Sequence, residues 1–481
     1  MRRIDADAQS IRVVIEPGAP GGSFDVLIDG HRVWSVVVDP VRDAAGAGQR
    51  FDWPSALAQR LRGQAQVEVR PSNGGAPGAA VEARFSDDDG GPELTDQHGQ
   101  RLSVNKWGDL AVAIEGRASG FAARLLDHAS RLVEDVRGAG IDLFLCSGSL
   151  LGALRGGVLL AHDDDIDFGF VAPTGHPADL NLLSYRMERA LLELGYTVVR
   201  HSGAHLQLYF GAEEPSAPRF YLDIFTGYFR DGEYHQPFAM RGTMRREAIL
   251  PLGTTNLEGR LFPAPASPDA WLALCYGPGW REPDPGFRFD TPLSTRRRFD
   301  AWFGSFNHRR DYWESVFRGA AIAEPDRRLL ALLRQLGGPV YDVGAGTSGL
   351  TSALIRRSGT AVALDYALEA LAIQRAAGVP TRSLNLYDRR QVLEFGVELA
   401  GSGATVVLSD VLSDLSDDGL TNARLLVDAV VSGGGVVVLA ERDPANAQVL
   451  DGIATDRAAV ERRNDENVDS RILRPKGKDT R

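Results

Sequence analysis

The sequence predicts a multidomain protein of mixed α/β and α+β architecture, with three different folds following one another. Its 481 residues exceed what one ordinary hydrophobic core holds. The apolar pattern also changes twice, from the alternation of strands, to helical spacing, and then to short apolar strands separated by helices. A hydrophobic share of 43% and a charged share of 24% are typical of a globular chain.

The first 112 residues predict a β-rich, sandwich-like accessory domain. Strand-like runs occupy residues 11–15, 24–28, 33–38, 67–69 and 81–85. They are separated by Gly- and Pro-containing turns, and Asp29-Gly30 is typical of a tight hairpin. Trp34 and Trp53 could stack on sugars or lie in the core. No catalytic cluster is visible in this part.

A second domain is predicted at residues 118–290, where the spacing becomes helical. Apolar residues from Ala122 to Val133 recur at helical intervals, and Gly138 to Gly140 should end the helix. A strand follows at residues 141–146 and leads into Gly148-Ser149, after which an apolar run begins another helix. Backbone N–H groups at such a helix start form an anion site suited to a phosphate.

Carboxylates follow this turn in the sequence Asp163-Asp-Asp-Ile-Asp167. Asp165 and Asp167 are two residues apart on a predicted strand, so their side chains leave the same face. Apolar residues alternate with them, which predicts a strand with one face buried rather than a solvated acidic turn. Two neighbouring carboxylates repel each other unless a cation lies between them, and Mg²⁺ or Mn²⁺ bridging to phosphate oxygens would serve.

A further carboxylate, Asp223, lies among apolar residues of a later strand, in Tyr221-Leu-Asp-Ile-Phe225. A lone buried carboxylate is costly unless it is paired or bound to a metal. Asp223 is therefore a candidate ligand, or the base that deprotonates an acceptor hydroxyl. His201, His205 and Gln207 lie near another strand and are candidates to line the same cleft.

This stretch resembles the LicD family, which includes bacterial phosphocholine transferases and the fukutin-related ribitol-phosphate transferases. The resemblance rests on Gly148-Ser-Leu-Leu-Gly152, then Arg155, then the acidic run, and on Tyr276-Gly277 later. It implies a nucleotidyltransferase fold, a CDP-activated alcohol donor and a glycan or lipid-linked glycan acceptor. Carried over by position, Asp165 and Asp167 hold the metal, Asp163 supports them, and Gly148, Ser149 and Arg155 lie at the donor phosphates. With Asp223, inferred above from its own strand, the candidate catalytic residues are Asp163, Asp165, Asp167 and Asp223.

The sequence departs from the family pattern at two places. Gly156 stands where the family usually has a basic residue or His, and Ala161-His162 stands where it usually has Pro-Trp. These differences concern the donor head group more than the chemistry.

Residues 291–335 are rich in Arg and aromatic residues and predict a helical connector, followed by a Rossmann-like domain at 336–481. There, strand, turn and helix alternate, which implies a parallel sheet. Ligands bind such sheets at the carboxyl ends of the strands. The candidate cofactor-binding residues are Asp342, Gly344, Gly346 and Gly349 after the first strand, and Asp365, Asp388 and Asp410 at the ends of later ones.

This set resembles class I S-adenosylmethionine-dependent methyltransferases, whose first motif is Asp-x-Gly-x-Gly. NAD binding is the alternative, and Asp342 directly before the glycines favours S-adenosylmethionine. Asp365 would accept hydrogen bonds from the ribose. A degenerate domain without catalysis remains a second alternative, because no base is evident among Asp410, Asp414 and Glu441.

The sequence as a whole predicts a cytoplasmic, bifunctional enzyme that modifies a cell-envelope glycan. It would transfer phosphocholine, glycerol-phosphate or ribitol-phosphate, and methylate the substituent or the same glycan. An adenylyltransferase and a glycan-binding scaffold are the alternatives. A net charge of −11 speaks against nucleic-acid binding, and two distant cysteines speak against a disulfide framework. A polar start and the lack of long apolar runs predict neither signal peptide nor membrane span.

Overall fold

We describe the protein from a computed structural model. The structure describes residues 3–15, 22–39, 48–72, 78–96, 99–104, 110–112, 120–160, 163, 165–211, 220–237, 240–284, 287, 291–356, 360–443, 447–453, 455–465 and 468–476. Ala161, His162 and Asp164 lie outside these residues. The chain divides into two compact units, Met1–Tyr209 with Phe220–Gly304, and Phe210–Arg219 with Ser305–Arg481. The predicted connector is thereby divided between them.

The N-terminal part of the first unit contains two antiparallel sheets around one apolar core. The first sheet has the order β1-β2-β5, with β1 at Arg3–Ala6, β2 at Ser10–Val14 and β5 at Gln49–Asp52. The second has the order β4-β3-β6-β7, with β3 at Gly22–Ile28, β4 at His31–Val38, β6 at Gln64–Pro71 and β7 at Ala79–Arg84. Helix α1 (Ser55–Ala58) and strands β8 (Ser103–Val104) and β9 (Leu110–Ala111) complete it. Trp53 is buried in the shared core, and Trp34 packs against it.

The rest of the first unit is a mixed sheet with flanking helices. Its elements are α2 (Phe121–Gly138), β10 (Leu143–Leu145), α3 (Ser147–Arg155), β11 (Ile166–Val171), α4 (Pro177–Glu193), β12 (Thr197–Ser202), β13 (His205–Phe210), β14 (Phe220–Arg230), β15 (Glu233–Gln236), β16 (Met240–Thr243), β17 (Gly253–Leu257), β18 (Arg260–Ala264), α5 (Pro268–Tyr276) and α6 (Leu293–Phe303). The sheet order is β10-β11-β14-β13-β12. Helix α2 buries Leu125, Ala129 and Leu132 and ends at Gly138, as its spacing predicts.

Strand β11 lies inside this sheet, antiparallel to β10 and parallel to β14. All six of its residues are buried. The alternation in the sequence predicts only one buried face, and that prediction is wrong for Asp167, which is 3% exposed. The reason is that the turn from β10 to α3 covers the acidic face, as described below.

The second unit is a seven-stranded sheet with helices. Its elements are α7 (Arg310–Phe317), α8 (Arg327–Leu336), β19 (Val340–Val343), α9 (Leu350–Ile355), β20 (Ala361–Asp365), α10 (Leu368–Ala376), β21 (Thr381–Ser383), α11 (Arg389–Leu399), β22 (Thr405–Ser409), α12 (Asp417–Ser432), β23 (Val436–Glu441), α13 (Ala447–Ile453), β24 (Ala458–Asp465) and β25 (Val468–Pro475). The order is β21-β20-β19-β22-β23-β25-β24. The first five strands are parallel, whereas β25 is antiparallel to both of its neighbours.

The carboxyl ends of β20 and β22 lie on either side of β19, the strand that precedes the glycine-rich turn. The chain runs to one side of β19 first and then to the other, so this is the topological switch point where open sheets bind ligands. In the part of the chain that the structure describes, no helix is both long and apolar enough to cross a membrane.

Candidate functional site

The turn between β10 and α3 is hydrogen-bonded to the start of β11. The Cys146 N–H donates to the Asp167 carbonyl at 3.1 Å, and the Asp167 N–H donates to Ser149 Oγ at 2.9 Å. The Gly148 N–H donates to Asp167 Oδ2 at 3.0 Å. Between them, Ser147 has a φ of +46°, a left-handed conformation that non-glycine residues adopt mainly where the surroundings impose it. The turn therefore fixes the position of the Asp167 carboxylate.

Three carboxylates meet at this turn. Asp163, Asp165 and Asp167 each offer an oxygen, and these oxygens lie within 4.8 Å of one another. Asp165 and Asp167 are buried, at 4% and 3% exposure. Gly148 permits this approach, since a Cβ on it would lie 2.3 Å from Asp163 Oδ2. The sequence predicts a small residue here to permit a close approach, and the atom that approaches Gly148 is Asp163 Oδ2.

These residues fit a hard divalent cation. Mg²⁺ and Mn²⁺ prefer oxygen ligands, and several carboxylates brought together repel one another unless a cation shares them. The space beside Gly148 is occupied by carboxylate oxygens of Asp163 and Asp167 and leaves no room for a β-carbon on residue 148. Among the described residues, Asp163 joins Asp165 and Asp167 in this group, and Asp223 is not a member of it.

Asp223 lies next to the acidic group on the neighbouring strand. In the parallel register of β11 and β14 it is the direct partner of Asp167. His205 Nε2 is 3.0 Å from Asp223 Oδ1, and both side chains are buried. Burial alone would raise the pKa of Asp223, but the charge and hydrogen bond of His205, with further help from His201 and Gln207, lower it overall.

The two histidines form a small aromatic cluster. The His201 and His205 rings stack at 4.4 Å between centroids, and His205 also stacks on Phe225 at 4.5 Å. His201 Nε2 is 3.0 Å from Gln207 Oε1. All three polar residues named from the sequence as candidates to line the cleft therefore lie around Asp223. The fold brings them there through the pairing of β12, β13 and β14.

Arg155, at the end of α3, contacts the chain after α5. Its Nε donates to the Trp280 carbonyl at 2.9 Å, and one of its terminal nitrogens donates to the Glu282 carbonyl at 2.9 Å. A role on the donor phosphates stays a prediction. Tyr276, part of the Tyr-Gly motif, is half-buried. Burial raises the pKa of Tyr276, and the nearby charges of Asp167 and Asp163 add to the shift, so the motif lies close to the acidic group.

The second unit contains a cavity of about 290 Å³ at the switch point of its sheet. Five of the seven predicted cofactor-binding residues line it, namely Asp342, Gly344, Gly346, Asp365 and Asp410. Gly349 and Asp388 do not line it. A Cβ on Gly349 would lie 2.3 Å from the Ala323 carbonyl oxygen, so this glycine permits a close backbone contact. Asp388 instead caps α11, accepting the N–H groups of Arg390 and Gln391.

Two buried side chains hold the glycine-rich turn in place. Asp365 accepts the Gly346 N–H at 2.8 Å and the Ala367 N–H at 2.9 Å. Gln374, on α10, donates through Nε2 to the carbonyls of Gly346 at 3.0 Å and Ser348 at 2.8 Å. Sequence reasoning missed Gln374 because a Gln on a helix carries no sign of which loop it contacts.

Asp342 lines the cavity, and the pKa of its carboxyl lies above the ordinary value. Burial raises the pKa of Asp342 to about 7, a hydrogen bond from Thr351 opposes the shift, and the nearby Asp365 charge adds to it. The Thr351 hydroxyl donates to Asp342 Oδ2 at 3.1 Å. Near neutral pH this carboxyl is therefore poised between its two forms, and a bound cationic group would favour the ionised one.

Asp342→Asn should make the second unit more stable at pH 8 in the absence of ligand. The folded state favours the protonated carboxyl of Asp342. Its contribution to stability is therefore complete below the ordinary pKa of 3.8 and is lost as the pH rises through about 7, where the buried group ionises. Because one pKa unit corresponds to about 1.4 kcal/mol, the shift from 3.8 to about 7 sets an upper limit of about 4 kcal/mol, and we expect a gain of a few kcal/mol at pH 8 and little difference at pH 4. Scanning calorimetry of the full chain at both pH values is the measurement. An equal loss of stability with pH in both proteins would contradict the shift.

At the other side of the cavity, Asp410 and Arg442 form an ion pair. Arg442 donates its backbone N–H to Asp410 Oδ1 at 2.8 Å and its Nε to Oδ2 at 2.6 Å. Asp410 adopts a φ of +54° directly after β22. Sequence reasoning identified Asp410 from its place after a strand but missed Arg442, along with Trp313 and Phe317 of α7, which also line the cavity.

One family model matches the part of the chain that contains the acidic group. Residues 140–267 match the model of the family described as LicD/FKTN/FKRP, nucleotidyltransferase domain. No curated protein matches the chain.

Three solved structures illustrate partial likenesses. One, titled for the conversion of a disulfide bond into a thioacetal group during echinomycin biosynthesis, is 16% identical over 36% of this chain and 95% of its own, with a TM-score of 0.28. The bifunctional kinase-methyltransferase WbdD is 12% identical over 34% of this chain and 46% of its own, with a TM-score of 0.26. The T. thermophilus 16S rRNA methyltransferase RsmC, bound to AdoMet and guanosine, is 14% identical over 35% and 39%, with a TM-score of 0.23. Values this low carry no information about activity.

The matched residues include the turn at Gly148, all three clustered carboxylates and Asp223. The match to the LicD-type nucleotidyltransferase domain thus covers the part of the chain that holds this site, residues 140–267.

Proposed function

We propose that the LicD-type domain is a metal-dependent transferase that moves a phospho-substituent from a CDP-activated alcohol to a glycan or lipid-linked glycan. The group of three carboxylates around Gly148 carries this proposal, together with the family match. Asp165 and Asp167 would hold Mg²⁺ or Mn²⁺, with Asp163 beside them. When bound, the metal would neutralise charge on the donor phosphates.

On the acceptor side, we propose that Asp223 and His205 act as a pair. Because His205 Nε2 lies 3.0 Å from Asp223 Oδ1, the carboxylate can hold the imidazole ring in place, so that Asp223 orients His205 rather than taking the proton itself. Its position beside Asp167 in the register of β11 and β14 keeps the pair next to the acidic group. His205 is thus the proposed base for an acceptor hydroxyl.

The products released distinguish this function from adenylyl transfer. Wild-type protein with Mg²⁺ should release CMP from one of CDP-choline, CDP-glycerol or CDP-ribitol, and only when a glycan acceptor is present. An adenylyltransferase would instead release pyrophosphate from ATP. Chromatographic detection of both products in parallel reactions is the test. Pyrophosphate release without CMP release would overturn the proposal.

For the second unit we propose S-adenosylmethionine binding and methylation of the transferred substituent or of the same glycan. The cavity lies where the strand order reverses, between the turns after β19, β20 and β22. If the strands of this unit are numbered 1 to 7 in chain order from β19, their order across the sheet is 3-2-1-4-5-7-6. Dinucleotide-binding sheets have the order 3-2-1-4-5-6, so the two differ in the last, antiparallel strand inserted next to strand 5.

The charge of the cavity supports the same ligand. Its carboxyl-bearing lining residues are Glu324, Asp326, Asp342, Asp365, Asp410 and Asp414, and its basic lining residue is Arg442. A pyrophosphate-bearing dinucleotide would be repelled here, while a cation would be attracted. S-adenosylmethionine carries a sulfonium and an ammonium group. The charges of the lining residues thus favour S-adenosylmethionine over NAD as the ligand of this cavity.

Isothermal titration is the direct test of this half of the proposal. S-adenosylmethionine should bind the full-length protein and NAD should not. Asp365→Ala should weaken binding about tenfold or more, because the turn loses the acceptor of the Gly346 N–H. No binding at millimolar S-adenosylmethionine, with CMP release intact, would leave the second unit as a domain without this cofactor.

A further inference from the structure

Helix α7 lies in the segment that the sequence predicts to be a connector, yet it belongs to the cavity of the second unit. Trp313 and Phe317, one helical turn apart on α7, both line that cavity. The rest of the lining comes from the start of α8 and the residues before it, and from the strand ends of the sheet. An element upstream of the first strand of the sheet therefore supplies aromatic surface to the site.

Helix α7 is attached to the start of α10 through Glu314. Glu314 of α7 accepts the N–H of Leu368 through Oε1 at 2.8 Å and the N–H of Glu369 through Oε2 at 2.9 Å. These are first-turn donors of α10, which lack partners within the helix, and a carboxylate is favoured there by the helix dipole. Arg310 holds the same carboxylate at 3.0 Å and is itself buried.

Helix α7 makes a second contact, with Asp414, on the opposite side of β19. Trp313 Nε1 donates to Asp414 Oδ2 at 2.7 Å, and Arg309 pairs with the same carboxylate. Asp414 follows β22, whereas the α10 contact follows β20, and these two strands flank β19. Helix α7 is thus attached to both sides of the switch point and crosses it.

The two aromatic rings are placed against the glycine-rich turn. Trp313 and Phe317 stack with centroids 5.4 Å apart and planes 20° apart. A Cβ on Gly346 would lie 3.0 Å from the Phe317 ring, so the ring packs directly over that glycine. Gly346 is also the residue whose N–H is held by Asp365. A ligand approaching the turn would therefore meet this aromatic surface.

We propose that α7 is a ligand-binding element of the second unit, with Trp313 and Phe317 contacting the bound cofactor and Glu314 and Asp414 positioning them. The inference rests on the proposed S-adenosylmethionine site. Flat aromatic faces suit the adenine ring of the cofactor and also attract its sulfonium charge.

The test uses the full-length protein and S-adenosylmethionine as the titrant. Trp313→Ala should weaken binding about tenfold, the scale of a lost base–aromatic contact. Val316→Ala is the matched control, because Val316 lies on the same helix, is 45% exposed and does not line the cavity. Binding should also change the tryptophan fluorescence of wild type, and this change should be lost in Trp313→Phe, which retains an aromatic ring and binds.

The outcomes separate the two proposals. If wild type does not bind S-adenosylmethionine, the cofactor assignment fails and this inference fails with it. If wild type binds and Trp313→Ala binds equally well, only the inference is overturned. Tighter binding by Trp313→Ala would also overturn it, since the side chain would then obstruct the cavity. Thermal unfolding of each variant, compared with wild type, shows whether α7 remains docked.

Discussion

Asp167→Asn and Asp165→Asn are each expected to reduce transfer at least a hundredfold, since loss of a catalytic metal ligand costs several kcal/mol of transition-state stabilisation. The fold should survive, because an Asn oxygen can still accept the Gly148 N–H that Asp167 accepts at 3.0 Å. Without metal, both variants should unfold at an equal or higher temperature than wild type. Each removes one of three negative charges whose oxygens lie within 4.8 Å of one another.

A metal titration makes this test independent of the donor. Wild type should gain thermal stability on addition of Mg²⁺ or Mn²⁺, and the two variants should gain much less. Asp142→Asn is the matched control, since it removes one carboxylate charge from an exposed residue just before β10. Retention of more than about a tenth of the activity by both variants would show that the acidic group does not hold the catalytic metal.

The spacing of the acids could be read from the sequence because a strand has a strict side-chain period. Residues two apart on a strand share a face, which predicts that Asp165 and Asp167 project together. The structure begins β11 at Ile166, so Asp165 directly precedes the strand rather than lying on it, and its carboxylate still lies in the group with Asp167. The requirement for a small residue at Gly148 could also be inferred, though not its cause. The cause is the Asp163 carboxylate, and no local pattern in the sequence predicts that this side chain lies against Gly148.

Contacts between distant segments could not be predicted. The pairing of His205 with Asp223 depends on the order of strands in the sheet, and polar residues on two strands carry no sign of becoming neighbours. The same holds for α7, whose Arg-rich sequence resembles a solvated connector. Its Arg310 is nevertheless buried, because Glu314 pairs with it and caps α10. Asp388 shows the opposite case, in which a carboxylate after a strand proved to cap a helix.

Gly148→Ala is expected to reduce metal affinity and transfer roughly ten- to hundredfold, the range seen when a group supporting metal ligands is disturbed. The new Cβ would lie 2.3 Å from Asp163 Oδ2, whereas its distance to Asp167 Oδ2 would be an ordinary 3.5 Å. Asp163 can rotate away at small cost to the fold, and Ala is a better helix former than Gly. Stability should therefore stay the same or rise while the site is disrupted.

Gly156→Ala is the control for this change, at the other end of the same helix. A Cβ on Gly156 would meet only Val158 Cγ2 at 3.5 Å, and its φ is not left-handed. Combining Gly148→Ala with Asp163→Ala tests the cause. If the methyl group acts by displacing the Asp163 carboxylate, it should have little further effect on metal affinity once that carboxylate is gone. Additive losses in the double variant, measured by Mn²⁺ titration, would show that Gly148 serves the site in another way, such as direct contact with the donor phosphates.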